Sequence, residues 1–214
     1  MRARLVLKRA FLEAPIANGQ AGHLLDYDDT HMGGTLLHAS SPILAALFSL
    51  AERALVSGAE FLMAYAVGFE AGVRSGRTAP GHHNSGWHLT GTLGALAAAI
   101  AAGKLLRLDV KSLTYTMAVA ATQSAGMQQN RGTMCKSFHA GKAASSGVLA
   151  ALLAERGFDG SLKSSRASAA IAAFTAMWRR LTNSFASWAC AGKSSATATN
   201  LMRAASFSMR RLMR

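Results

Sequence analysis

Apolar residues recur at helical spacing along most of this chain. From Ile43 to Leu55, isoleucine, leucine and alanine follow one another at i, i+3 and i+4, which is typical of an amphipathic helix. Comparable stripes cover five further segments, which span residues 15–25, 60–73, 91–106, 110–125 and 139–155. No segment shows the strict apolar and polar alternation of a half-buried strand. The pattern predicts an all-α fold, a helical bundle of five or six helices.

Capping residues and small residues refine this prediction. Asp109 is expected to cap the helix that follows it, because its carboxylate can accept from the first free backbone N–H groups. The pair Ser57 and Gly58 is expected to end the second helix. The segments 91–103 and 140–151 are rich in alanine and glycine. Helices with such faces can approach closely, so we expect both segments inside the bundle.

Three polar segments interrupt the helical pattern. The first, DYDDTHMGGTLLH, runs from Asp26 to His38 and holds three carboxylates and two histidines. The others span residues 77–90 and 127–137, and each leads into a helix N-terminus. Backbone N–H groups at such ends favour bound anions. We therefore expect ligands that carry carboxylates to bind near these ends. All seven histidines lie between residues 23 and 139.

Charge is unevenly distributed over the 214 residues. The net charge is +13, but residues 161–214 hold nine Lys and Arg and no Asp or Glu. The first 160 residues are close to balance, with 14 basic and 10 acidic side chains. A near-balanced domain suits a small anionic substrate better than nucleic acid. We therefore expect no specific nucleic-acid partner.

Cysteines and apolar runs indicate the compartment. The two cysteines, Cys135 and Cys190, show no disulfide framework spacing. The first residues have no apolar core of signal-peptide length, since Lys8 and Arg9 interrupt it. The most apolar run, residues 93–103, is shorter than the ~20 residues that cross a bilayer. We expect a cytoplasmic protein without a membrane span.

Three motifs in order give a family resemblance. DYDDTH at residues 26–31 is followed by His38, then by WHLTGT at 87–92 and KSFHAGKAA at 136–144. The chain resembles the MmgE/PrpD family, which includes 2-methylcitrate dehydratase and cis-aconitate decarboxylase. Proteins of that family carry three corresponding motifs in the same order: D-[YF]-D-D-T-x-H, F/W-H-x-x-G-T and K-x-x-H-x-G-x-A-A. The resemblance covers about residues 17–160.

This resemblance implies a cofactor-free and metal-free lyase with a helical catalytic domain. It also implies a homodimer, helices before the first residue of this sequence and a mixed α/β lid domain that this sequence does not show. The pocket residues carried over by motif are Asp26, Thr30, His38, His88 and Lys136 as catalytic groups, with His139, Lys136 and His31 as substrate-binding groups. The implied reaction is dehydration of 2-methylcitrate or a related hydroxy acid, with decarboxylation or epimerisation of a related acid as alternatives. A further alternative is an inactive fragment of such an enzyme.

The residue types suit this chemistry. Proton removal or carbon dioxide loss beside a carboxylate develops enolate-like charge, which Lys136 or a protonated histidine can stabilise. His38 and His88 are the expected acid and base, because histidine titrates near neutral pH. Asp26 is expected to orient one of these histidines or to hold a substrate hydroxyl through Thr30.

Other interpretations stay open for several of these side chains. Asp28 and Asp29 could form a solvated turn or a helix cap. His23 is expected to be a satisfied, partly buried histidine. His82 and His83 are assigned no role, and neither is Cys135. His31 could act directly or only support its loop.

A metal-dependent hydrolase is a competing function. Asp28, Asp29, His31 and His38 are all potential metal ligands, although they lack a defining spacing such as H-E-x-x-H.

Composition changes after residue 160. We predict a partial helical domain over residues 1–160 and a separate basic segment, rich in alanine, serine and arginine, over residues 161–214. This segment is typical of a GC-rich coding region translated out of frame. A nucleic-acid-binding arm and amphipathic helices on an anionic membrane are the alternatives.

Overall fold

The computed structural model describes residues 12–161 apart from residues 34, 54, 79 and 80. Six α-helices occupy most of this part of the chain, together with one 3₁₀ turn at Gln128–Asn130. The helices are α1 (Ala14–His23), α2 (Ser40–Ala51), α3 (Gly58–Arg77), α4 (Leu89–Leu105), α5 (Val110–Thr122) and α6 (Met134–Glu155). In the described ranges, β-type pairing is limited to two isolated bridges, His31 with Leu37 and Trp87 with Met127. The all-α prediction is confirmed.

Two predicted helix ends are wrong for local reasons. Ser57 does not end α2, which already stops at Ala51. Instead Ser57 caps α3, since its hydroxyl accepts from the Glu60 N–H while the Glu60 carboxylate accepts from the Ser57 N–H. Helix α6 begins at Met134 and not at His139, with Thr133 as its cap. Lys136 and His139 therefore lie on the first two turns of α6.

Helix α4 is the centre of the bundle. It contacts α2, α3, α5 and α6, and almost all of its side chains are buried. Small residues permit this packing: a Cβ added at Gly147 of α6 would lie 2.6 Å from the Ala99 nitrogen of α4. A Cβ added at Gly68 of α3 would lie 2.6 Å from the Ala101 Cβ. The close approach predicted from the alanine and glycine content is confirmed.

Helix α1 packs equally closely on α6. A Cβ added at Gly19 would lie 2.7 Å from the Gly141 Cα, so the two backbones nearly touch. This contact brings His23, one turn after Gly19, to the N-terminal half of α6. The end of α1, the 24–39 segment and the starts of α4 and α6 meet at one end of the bundle.

The basic segment of residues 162–214 lies outside the described residues, so its predicted separation from residues 1–160 stays a prediction. Within the described ranges, each helix is too short or too polar to cross a membrane.

Candidate active site

Four histidines from four parts of the fold gather in one cluster. His23 ends α1, His38 lies before α2, His88 caps α4 and His139 lies on α6. The ring of His23 is 4.9 Å from that of His38 and 5.8 Å from that of His88, centroid to centroid. The rings of His88 and His139 are 5.2 Å apart.

Asp28 bridges two of these histidines. His23 Nδ1 donates to Asp28 Oδ2 at 2.7 Å, and Asp28 Oδ1 lies 3.4 Å from His38 Nδ1. Burial of the Asp28 side chain, only 6% exposed, tends to raise its pKa, but the two histidine partners outweigh this and lower the pKa to about 2. The pairing with Asp28 in turn raises the pKa of His38 against the opposing effect of burial. Asp28 is therefore ionised at neutral pH and favours a protonated His38.

His88 and His139 form a different kind of pair. Their Nδ1 atoms are 3.0 Å apart, so one ring donates and the other accepts. Burial, and then the proximity of His139, lowers the pKa of His88 to about 3. Burial also lowers the pKa of His139. Both rings are therefore neutral near pH 7, with opposite tautomers at the shared contact.

The backbone fixes His88 in this position. The His88 N–H donates to the Gly126 carbonyl at 3.0 Å, and the neighbouring Trp87 pairs with Met127. These contacts join the segment before α4 to the segment before α6.

Lys136 and Asp26 link the first polar segment to α6. The Lys136 ammonium donates to both oxygens of the Asp26 carboxylate. This hydrogen bond is the main cause of the lowered pKa of Asp26, which is half-exposed. Asp26 has a φ of 54°, a left-handed conformation that aspartate tolerates better than most residues.

The structure brings six of the seven predicted site residues into mutual contact or close proximity. They are Asp26, Thr30, His38, His88, Lys136 and His139. Thr30 Oγ1 lies 3.3 Å from His38 Nδ1. The carboxylate beside His38 is Asp28, whereas Asp26 contacts Lys136.

His31 has other contacts. Its Nδ1 donates to the Thr35 carbonyl at 3.0 Å, and its ring meets Phe69 edge-on at 6.1 Å. The predicted role of His31 in substrate binding stays a prediction, while its contacts support the 31–37 loop.

Sequence reasoning missed His23 and Asp28. His23 was expected to be partly buried with its hydrogen bonds satisfied, but it is 1% exposed and its Nε2 has no partner among the described residues. Its ring lies against those of His38 and His88. The available signal was Gly19, since a residue one helical turn from a glycine at a helix contact lies on the same packed face. Asp28 carried no such signal, because the sequence does not show which of the three carboxylates in the 26–38 segment faces His23 and His38.

Asp29, His82 and His83 support the structure around the cluster. Asp29 Oδ1 accepts from the Ser40 N–H at 2.9 Å at the start of α2, although the residue in the N-cap position of this helix is Ala39. His82 stacks on Trp87, and His83 Nδ1 lies 3.0 Å from Gln128 Nε2.

Among the described residues, one group of side chains has donor atoms close enough together to hold a metal ion. Donor atoms of His23, Asp26, Asp28 and His38 all lie within 4.8 Å of one another. This is not the set expected for a metal-dependent hydrolase, because Asp29 caps α2 and His31 contacts its own loop. The two carboxylates of the group already have Lys136 and the histidines as partners.

The family model for the MmgE/PrpD N-terminal domain matches residues 7–183. The chain belongs to the MmgE/PrpD family. The match extends 23 residues past the composition change at residue 160.

Relatives within the family are named as decarboxylases. The chain is 37% identical over 154 residues to cis-aconitate decarboxylase of Aspergillus terreus, covering 68% of this chain and 31% of the relative. It is 33% identical over 153 residues to cis-aconitate decarboxylase of Homo sapiens, covering 69% and 31%. It is 37% identical over 158 residues to the cis-aconitate decarboxylase-like protein oryM of Aspergillus oryzae, covering 69% and 32%. The chain thus spans about a third of the length of these relatives.

Proposed function

We propose that this chain forms the helical part of a lyase that acts on a small tricarboxylic acid by histidine and lysine acid-base chemistry. The observation that carries the proposal is that the pKa values of two histidines in one cluster are shifted in opposite directions. The pKa of His38 is raised by Asp28, while burial lowers that of His88 to about 3. Titratable groups whose pKa values are pushed apart are the usual acid and base of an active site.

Decarboxylation is the first candidate reaction, because the relatives reported above are named cis-aconitate decarboxylases. As the bond to the departing carboxylate breaks, its electron pair moves to the adjacent carbon and carbon dioxide leaves. Lys136 stabilises the negative charge that develops on the neighbouring carboxylate. A protonated His38 then gives its proton to the carbon, which completes the product.

Dehydration of a hydroxy acid such as 2-methylcitrate is the second candidate. Here neutral His88 takes a proton from the carbon beside a carboxylate, and protonated His38 gives one to the departing hydroxyl. Thr30 holds that hydroxyl, since its own hydroxyl lies 3.3 Å from His38 Nδ1. The opposite pKa shifts of the two histidines favour this pairing, because it needs one acid and one base at the same pH.

A chimera tests both candidates. The matching segment of the Aspergillus terreus enzyme is replaced by residues 12–161 of this chain, and turnover of cis-aconitate and 2-methylcitrate is followed by mass spectrometry. We expect loss of carbon dioxide from the first acid or loss of water from the second. His38→Ala and His88→Ala should each lower kcat by about 10²–10⁴-fold. Arg74→Ala, which removes a surface ion pair with Glu70, is the control and should retain activity.

A folded chimera in which both histidine variants keep full turnover would contradict the assignment. A second measurement uses the chain itself: NMR spectra with added cis-aconitate should show shifts at His38, His88 and Lys136. Shifts confined to other residues would oppose the proposed pocket even if the chimera does not fold.

A further inference from the structure

His23 occupies an unusual position for a buried histidine. It is 1% exposed at the end of α1, between the rings of His38 and His88. Its Nδ1 is bound to Asp28, but its Nε2 is buried and has no hydrogen-bond partner among the described residues. A buried ring nitrogen without a partner is costly. An apolar ring such as phenylalanine would fill the same space without this cost. A histidine at this position therefore indicates a function of the hydrogen bond that it makes through Nδ1.

The direction of the hydrogen bond follows from Asp28. With its pKa lowered to about 2, the Asp28 carboxylate carries no proton at neutral pH and can only accept. His23 Nδ1 therefore donates to Oδ2 at 2.7 Å. This bond fixes the rotation of the carboxylate, because the second oxygen must then lie on the opposite side.

That second oxygen is the one beside His38. Asp28 Oδ1 lies 3.4 Å from His38 Nδ1 and has no well-formed hydrogen bond of its own, although it is buried. A weak contact of this length depends strongly on the orientation of the carboxylate. The orientation is held from the other side by His23, which is anchored through α1 to α6.

We propose that His23 is a positioning residue: its hydrogen bond to Asp28 holds that carboxylate against His38, so that the orientation and charge of His38 depend on His23. This inference rests on the proposed function in one respect, namely that His38 is the proton donor. The neighbouring groups that also act on His38 are Lys136, which disfavours its positive charge, and Asp26, which favours it. An ionised Asp29 favours that charge as well, and a protonated His88 would oppose it.

The test measures the titration of the His38 imidazole by NMR in the full chain. His23→Phe keeps a ring but removes the donor, and His23→Asn keeps a donor close to the position of Nδ1. We expect His23→Phe to lower the His38 midpoint by about half a unit or more, as a weakened carboxylate contact would. In His23→Asn the His38 midpoint should return most of the way to its value in the unsubstituted chain. Asp28→Asn should lower the midpoint at least as far as His23→Phe. His82→Phe makes the same change in a histidine that stacks on Trp87, and should leave the midpoint unchanged.

An unchanged His38 midpoint in folded His23→Phe, together with a lowered one in Asp28→Asn, would overturn the proposal. The unsubstituted chain gives an independent check, because nitrogen shifts report which ring nitrogen of His23 carries the proton. We expect a proton on Nδ1 at pH 7. A proton on Nε2 alone would remove the bond to Asp28 and would equally overturn the proposal.

These NMR results do not need turnover, so they stand even if the proposed lyase activity fails. Where the chimera is active, His23→Phe should also move the alkaline limb of the kcat profile to lower pH. A purely structural role would lower activity at every pH without moving that limb.

Discussion

At the residue scale, identical side chains in one cluster have different chemistry. His38 is partly exposed beside an ionised carboxylate, while His88 is buried beside a neutral imidazole. The first environment stabilises a positive charge and the second opposes it. The motifs predicted His38, His88 and His139 of this cluster but not His23. They did not predict which rings would be charged, because burial and partners are properties of the folded chain.

The lowered pKa of His88 predicts a pH effect on stability. Between its ordinary value of 6.5 and its folded value of about 3, the unfolded chain binds a proton at His88 that the folded chain does not. This group therefore reduces stability progressively as the pH falls through that window. We expect the His88 resonances in NMR titrations to show the neutral ring at pH 5, and a midpoint near 6.5 would contradict the burial argument.

At the scale of elements, small residues decide how the helices pack. Gly19 meets Gly141 between α1 and α6, and Gly147 meets α4. The alanine and glycine content predicted close packing, because it is a local property of each helix. It did not predict which helices would be partners. The end of α2 was predicted wrongly for a local reason, since Ser57 and Gly58 are compatible with either a helix end or a helix start.

Gly147→Ala tests the packing of α6 on α4. The added Cβ would lie 2.6 Å from the Ala99 nitrogen, so backbone must shift. Overpacking costs about 1–3 kcal/mol, and alanine recovers up to about 1 kcal/mol in helix propensity. We expect a net loss of about 1–2 kcal/mol in the free energy of unfolding, measured by urea denaturation. The control is Gly58→Ala, where a Cβ meets nothing within 4 Å and no loss is expected. Equal effects of the two substitutions would refute the packing argument.

At the scale of the whole molecule, several exposed apolar side chains are close in sequence to residues of the candidate site. They include Leu24, Leu25, Tyr27, Met32, Trp87, Met134 and Phe138, each within two residues of a predicted or newly found site residue. Concentrated apolar exposure of this kind favours association. The chain spans about a third of the length of its relatives, and the predicted homodimer stays a prediction.

We expect this chain to self-associate through that surface. Replacing Leu25, Met32 and Met134 with serine should weaken association at least about tenfold, equivalent to about 1.4 kcal/mol. Light scattering coupled to size-exclusion chromatography measures the mass as a function of concentration. Leu55→Ser is the matched control, because Leu55 is fully exposed but lies between α2 and α3. If the control reduces association as much as the triple variant, the site-side surface is not responsible.

The all-α fold, the close packing of two alanine-rich segments and the family could be predicted from the amino-acid sequence, because helical periodicity and motifs depend on residues that are close in the chain. The partners within the site could not, because they come together only when the helices pack. Lys136 and Asp26 are 110 residues apart in the chain, and His88 and His139 are 51 apart. His23 and Asp28 are near His38 in sequence, but the conformation of the 24–39 segment decides that Asp28 is the carboxylate between the two rings. The charge of each histidine then follows from its burial and its partner, which exist only in the folded chain.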